Sequence, residues 1–103
     1  MSGSLSPLER IAEMEGILER CSKAVASLSA ELDHVDGMRD EMLRLFRYYG
    51  SAAWYEDRDL QLPESVKAGV LSEDLVYDEI IALRDAAFHM LELASDILKN
   101  RIA

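Results

Sequence analysis

Two residue pairs stand at spacings that could ligate a metal. Glu31-x-x-His34 has the spacing used in helical di-iron sites, and Asp85 with His89 stands at i, i+4. A di-iron centre needs that motif on two helices with further inward carboxylates; here it occurs once. Both histidines also fall off the apolar seams described below, so two solvated faces are expected and no metal is assigned. Asp57-Arg58-Asp59 opens like a calcium loop. Its sixth position is Leu62 and its twelfth is Ala68, where an EF-hand requires glycine and glutamate, so that reading fails. Arg39, Arg44 and Arg47 form the one basic cluster. Acids interleave with them, Asp40 standing four residues before Arg44, which predicts a salt-bridged helix face rather than a phosphate site. Cys21 is the single cysteine and lies on a seam, where it acts as a small hydrophobe. Ser72 has the context of a helix cap and no adjoining histidine. No Gly-rich phosphate loop, nucleophile elbow or Cys/His cluster is present. The expectation is a protein without catalysis, cofactor or metal.

The chain of 103 residues has room for one domain, with an expected disordered stretch over 1–6 and a single helical bundle over 7–103. A net charge of −9 without any basic block argues against nucleic acid and anionic membranes as partners. No apolar run approaches the roughly 20 residues of a membrane span. The N-terminus lacks the basic and apolar regions of a signal peptide, and the lone cysteine suits a reducing compartment, so the cytoplasm is expected.

Periodicity supplies the elements. Ser6-Pro7, followed by Glu9, is a helix start with an N-cap, a proline at the first position and an acid in the first turn. From there Ile11, Met14, Leu18, Cys21, Val25, Leu28, Leu32 and Val35 make an uninterrupted heptad seam of the coiled-coil type. The phase slips at Asp36-Gly37, where a break is expected before a second helix from about Met38 to Tyr49. Gly50 stands where a C-terminal cap belongs, and Ser51 can cap a short helix through Trp54 and Tyr55. Asp59–Gly69 reads as irregular, with one turn near Pro63. Ser72 with Glu73-Asp74 starts a last helix whose seam is Val76, Ile80, Leu83, Ala87, Met90, Ala94 and Ile97. The stripe widens through Leu91, Leu93, Leu98 and Ile102. The predicted fold is all-α: an antiparallel helical bundle of two long helices, a middle helix and an aromatic-rich connector. Phe88 and Leu93 lie outside the seam and suit either a third-helix contact or a homodimer face.

The connector Phe46–Tyr77 holds six of the seven aromatic residues and both prolines, more chemistry than a turn requires. In one reading the rings close the end of the bundle, with Tyr49 and Trp54 inward and Tyr48 and Tyr55 partly outward. In the other, Tyr48, Tyr49, Trp54, Tyr55, Arg58 and Tyr77 form a recognition surface, because Trp, Tyr and Arg dominate interface hot spots. The preferred function is a protein-interaction or scaffolding module. The alternative is a regulator that binds a small ligand in a pocket under the Tyr/Trp cluster.

Tyr48-Tyr49-Gly50-Ser51, Trp54 followed by Glu56 and Asp57, Leu62-Pro63, and Gly69-Val70-Leu71-Ser72-Glu73-Asp74 with Tyr77 occur in an order that resembles a small bacterial family, domain of unknown function 4298. Arg10-Ile11, Met14-Glu15 and Met90-Leu91-Glu92-Leu93-Ala94 extend the likeness over nearly the whole domain. The resemblance implies a bacterial, cytoplasmic, stand-alone helical protein. It implies no activity or ligand, and Gly37 departs from the unbroken helix expected there.

Overall fold

A computed structural model describes residues 6–100. The expected disordered residues 1–5 lie outside the described residues, as does Ile102 at the end of the last stripe. Four α-helices follow one another: α1 over Pro7–Gly37, α2 over Arg39–Tyr48, α3 over Ala52–Arg58 and α4 over Glu73–Lys99. A single 3₁₀ turn, Gly69–Leu71, precedes α4. No strand occurs among the described residues, so the fold is all-α. The chain divides into two compact units, Met1–Asp40 and Glu41–Ala103.

The helix boundaries follow from local chemistry. Ser6 belongs to the α1 cap rather than to a disordered stretch: its Oγ accepts from the Glu9 amide at 3.2 Å, and Pro7 takes the first helical position. The expected break falls at one residue, Met38, whose amide donates back to the carbonyls of Val35 and Asp36. Two residues past the end of α2, Gly50 has a φ of +75°, a left-handed conformation that glycine adopts without the Cβ penalty of other residues. Ser51 serves two helices. Its hydroxyl donates to the Tyr48 carbonyl at 2.6 Å and accepts from the Trp54 amide at 3.2 Å, closing α2 and opening α3. The irregular stretch carries the expected turn, with the Val66 amide donating to the Pro63 carbonyl.

Burial does not run along the heptad seams. α1 buries none of its side chains, and α4 buries only Val76. On α4, Phe88, Met90, Leu91, Leu93 and Leu98 are exposed, with Leu91 67% and Leu98 74% in water. Among the described residues, only Trp54 and Val76 are buried hydrophobics. The core of the second unit sits in the connector, where the 3₁₀ turn packs against both α3 and α4.

Candidate functional site

α3 is seven residues long, too short to be stable by itself in water, so tertiary contacts must hold it. Trp54 is its anchor, 2% exposed. Tyr49 and Tyr55 each meet the indole edge-to-face with ring centroids at 5.0 Å, and the Arg58 guanidinium lies 4.6 Å from the ring centroid. The indole N–H donates to the Val70 carbonyl at 2.9 Å, tying α3 to the 3₁₀ turn. Two further ties reach α4. The Tyr49 hydroxyl donates to the Glu73 carbonyl at 2.8 Å, and Arg58 Nη1 donates to Glu73 Oε1 at 3.2 Å.

These ties differ in weight. The Arg58–Glu73 pair is largely solvated, and such pairs contribute about 0–1 kcal/mol. Burying an aromatic ring and satisfying its N–H contributes several times that, roughly 3–5 kcal/mol by truncation. Indole burial therefore holds the connector together, and the ion pair steers it.

The structure brings five of the six predicted surface residues into this cluster or onto its edge. Trp54 is buried and Tyr49 half-buried, while Tyr55 stays 58% exposed despite its contact with the indole. Tyr48 is half-buried, and its hydroxyl donates to Asp57 Oδ2 at 2.6 Å, bracing α2 against α3. Arg58 is exposed, with its guanidinium over the indole and bonded to Glu73. Tyr77 is exposed on the first turns of α4. The indole is buried between the Tyr49 and Tyr55 rings, and its one polar atom is bonded to Val70. Sequence reasoning missed Val70, Glu73 and Asp57 as partners. Their only signal was position inside the Gly69–Asp74 and Trp54–Asp57 motifs, which identifies residues without pairing them.

Two tyrosines are electrostatically set apart. The hydrogen bond to Asp57 holds the Tyr48 hydroxyl above its ordinary value of 10.0, helped by burial and the same carboxylate's charge. Burial raises Tyr49 first, and the charges of Glu73 and Asp74 add to it. A folded value above the unfolded one stabilises the protonated form, so this contribution is complete below about pH 10 and is lost as pH rises through the raised value. Titration of tyrosinate absorbance is expected to show two phenols ionising late. Tyr48→Phe removes one of them, and an unchanged late phase in that variant would refute the Tyr48–Asp57 assignment.

Elsewhere, Glu31 and His34, to which the sequence reading assigned no metal, lie in the open, with His34 Nδ1 3.8 Å from Glu31 Oε2. Among the described residues no group of three His, Cys, Asp or Glu side chains could hold a metal. Arg39 of the basic cluster pairs with Asp36 at 2.8 Å. No helix of the described residues is long and apolar enough to cross a membrane.

Comparison with known proteins returns one family model, described as Domain of unknown function (DUF4298), which matches residues 11–93. No curated protein and no solved structure matches the chain.

Proposed function

We propose, given that the chain belongs to the DUF4298 family, that it is a non-catalytic module for protein–protein interaction. One observation carries this reading. Tyr48, Tyr49, Ser51 and Trp54 use their side-chain donors within the connector, on Asp57, Glu73, Tyr48 and Val70, while large apolar side chains of the same connector remain in water. Tyr55, Leu60, Leu62, Val66, Val70, Leu75 and Tyr77 are all exposed between α3 and the start of α4. Aromatic and aliphatic side chains presented together in this way suit an interface. The exposed stripe of α4 with Phe88 and Leu93 extends the available apolar surface and suits a protein partner or a second copy. The tyrosine hydroxyls and the indole N–H are already bonded within the connector, which favours a partner over a small ligand that needs convergent polar groups lining a cavity.

The test is capture of partners from cells of the source organism, with mass spectrometry, comparing wild type with Tyr55→Ala/Tyr77→Ala. Neither ring is buried, so the variant is expected to keep wild-type helical content and Trp54 emission. A partner held by wild type and reduced about tenfold or more with the variant supports the reading. Equal capture by both proteins refutes the connector as the working surface.

A further inference from the structure

The connector carries charge as unevenly as it carries apolar surface. Residues 51–79 hold eight acids and two bases, a net charge of −6 against −9 for the whole chain. Two of the acids are committed: Asp57 accepts from Tyr48, and Glu73 pairs with Arg58. Glu56, Asp59, Glu64, Asp74, Asp78 and Glu79 are all exposed, and none of them pairs with a cation among the described residues.

These carboxylates stand beside the exposed apolar side chains, at the spacings of three and four that make neighbours on a helix. Tyr55 precedes Asp59 by four residues, Leu75 precedes Glu79 by four, and Tyr77 follows Asp74 by three. Tyr55, Leu75 and Tyr77 are each more than half exposed. The two helices meet at this point. The Tyr49 hydroxyl is bonded to Glu73; after burial, the charges of Glu73, Asp74, Tyr55 and Tyr77 raise it above its ordinary value of 10.0. Both exposed rings and two acids thus surround one hydroxyl, all within the second compact unit.

We propose that this face binds a basic protein segment, whose lysines or arginines meet the unpaired carboxylates while its apolar side chains pack on Tyr55, Leu75 and Tyr77. The proposal rests on the interaction reading above and deepens it by naming the partner's chemistry.

Charge selects this occupant. A second copy would set one acidic face against another, and nucleic acid or an anionic lipid surface would be repelled likewise. The chain's own arginines on α2 supply no counterpart, since Asp36, Asp40 and Glu41 stand among Arg39, Arg44 and Arg47. The rings add to the attraction, because the quadrupole of an aromatic face binds a cation placed over it. The joint already makes such a contact within itself. The Arg58 guanidinium lies 4.6 Å from the Trp54 ring centroid and 3.2 Å from Glu73 Oε1, a cation held between a ring and a carboxylate. Tyr55 with Asp59 and Tyr77 with Asp74 repeat that pairing of ring and carboxylate, with no cation of the described residues over either ring.

The test pans a phage-displayed library of random peptides on the immobilised full chain, then titrates the selected peptides by fluorescence anisotropy. They are expected to carry net positive charge together with leucine, isoleucine or aromatic residues. Two variants separate the parts of the face. Asp59→Lys/Glu79→Lys reverses two unpaired carboxylates outside the first turn of either helix, so unchanged Trp54 emission is expected. It is expected to weaken binding about tenfold or more at about 0.15 M salt, and by less at about 0.5 M. Tyr55→Ala/Tyr77→Ala is expected to weaken binding about tenfold at both. No enrichment over the bare support, or selected peptides that are neutral or acidic, would overturn the proposal. So would weakening by the charge variant alone, which is attraction without a docking face. Weakening by the tyrosine variant alone removes the basic partner and leaves the connector reading standing; indifference to both variants removes both.

Discussion

Trp54→Ala lowers the stability of the connector by about 3–5 kcal/mol, the ordinary cost of truncating a buried tryptophan. The expectation rests on how few buried groups share the work. Trp54 and Val76 are the buried hydrophobics of the described residues, and the indole contacts Tyr49, Tyr55 and Arg58 while donating to Val70. Removing it opens a cavity under two rings and deprives the Val70 carbonyl of its indole donor. A small domain has about 5–15 kcal/mol in total, so a loss of this size opens the segment rather than loosening it. Limited trypsin digestion should then cut after Arg58 and Lys67 far faster than in wild type. Far-UV circular dichroism should change little, because α3 is only seven residues long. Trp54→Phe separates the two causes. It keeps most of the apolar area and loses the N–H donor, for a cost nearer 1–2 kcal/mol. Identical urea midpoints and digestion rates for wild type and Trp54→Ala would show that the ring cluster does not hold the connector.

Val76→Asp produces the other large effect. Val76 is 4% exposed, on the first turns of α4, next to the 3₁₀ turn. A carboxylate there loses its water with no cation assigned to pair with it, which costs about 3–5 kcal/mol. Val76→Ala removes two methyl groups and costs about 2 kcal/mol, so the excess belongs to the charge. The pH dependence identifies it. Burial raises the introduced carboxyl above the usual value of about 4 in the folded state. The variant is therefore closest to wild type at low pH and falls further behind as pH rises through the raised value. Urea midpoints of variant and wild type, compared at about pH 4 and pH 7, check the sign. A difference independent of pH would mean that the site is open to water.

Several features were legible because their causes lie within four residues of chain. Ser6-Pro7, Gly50, Ser51 and Ser72 mark helix ends through caps, a fixed φ and a left-handed turn, and the structure places helix ends at each. The phase slip at Asp36-Gly37 likewise surfaces as the break at Met38. The 3₁₀ turn at Gly69–Leu71 was not legible, since nothing local distinguishes it from the end of an irregular stretch. Arg58 read as a surface residue, and it is exposed, but its place over the indole was not legible because arginine beside aromatic residues looks alike at an interface and over a buried ring.

By itself, then, the sequence determined the all-α class, the helix boundaries, and which face of each long helix is apolar. All three follow from backbone propensity and side-chain periodicity, which act over a single turn. Only the tertiary structure decided that Trp54 reaches Val70, that Tyr49 reaches Glu73 and that Tyr48 reaches Asp57. Those partners lie 16, 24 and 9 residues apart along the chain. Loop closure and the filling of one small core select them, and no local rule encodes either. The same limit explains the seams: a heptad says that a face must be covered, while what covers it depends on surfaces beyond the helix that carries it.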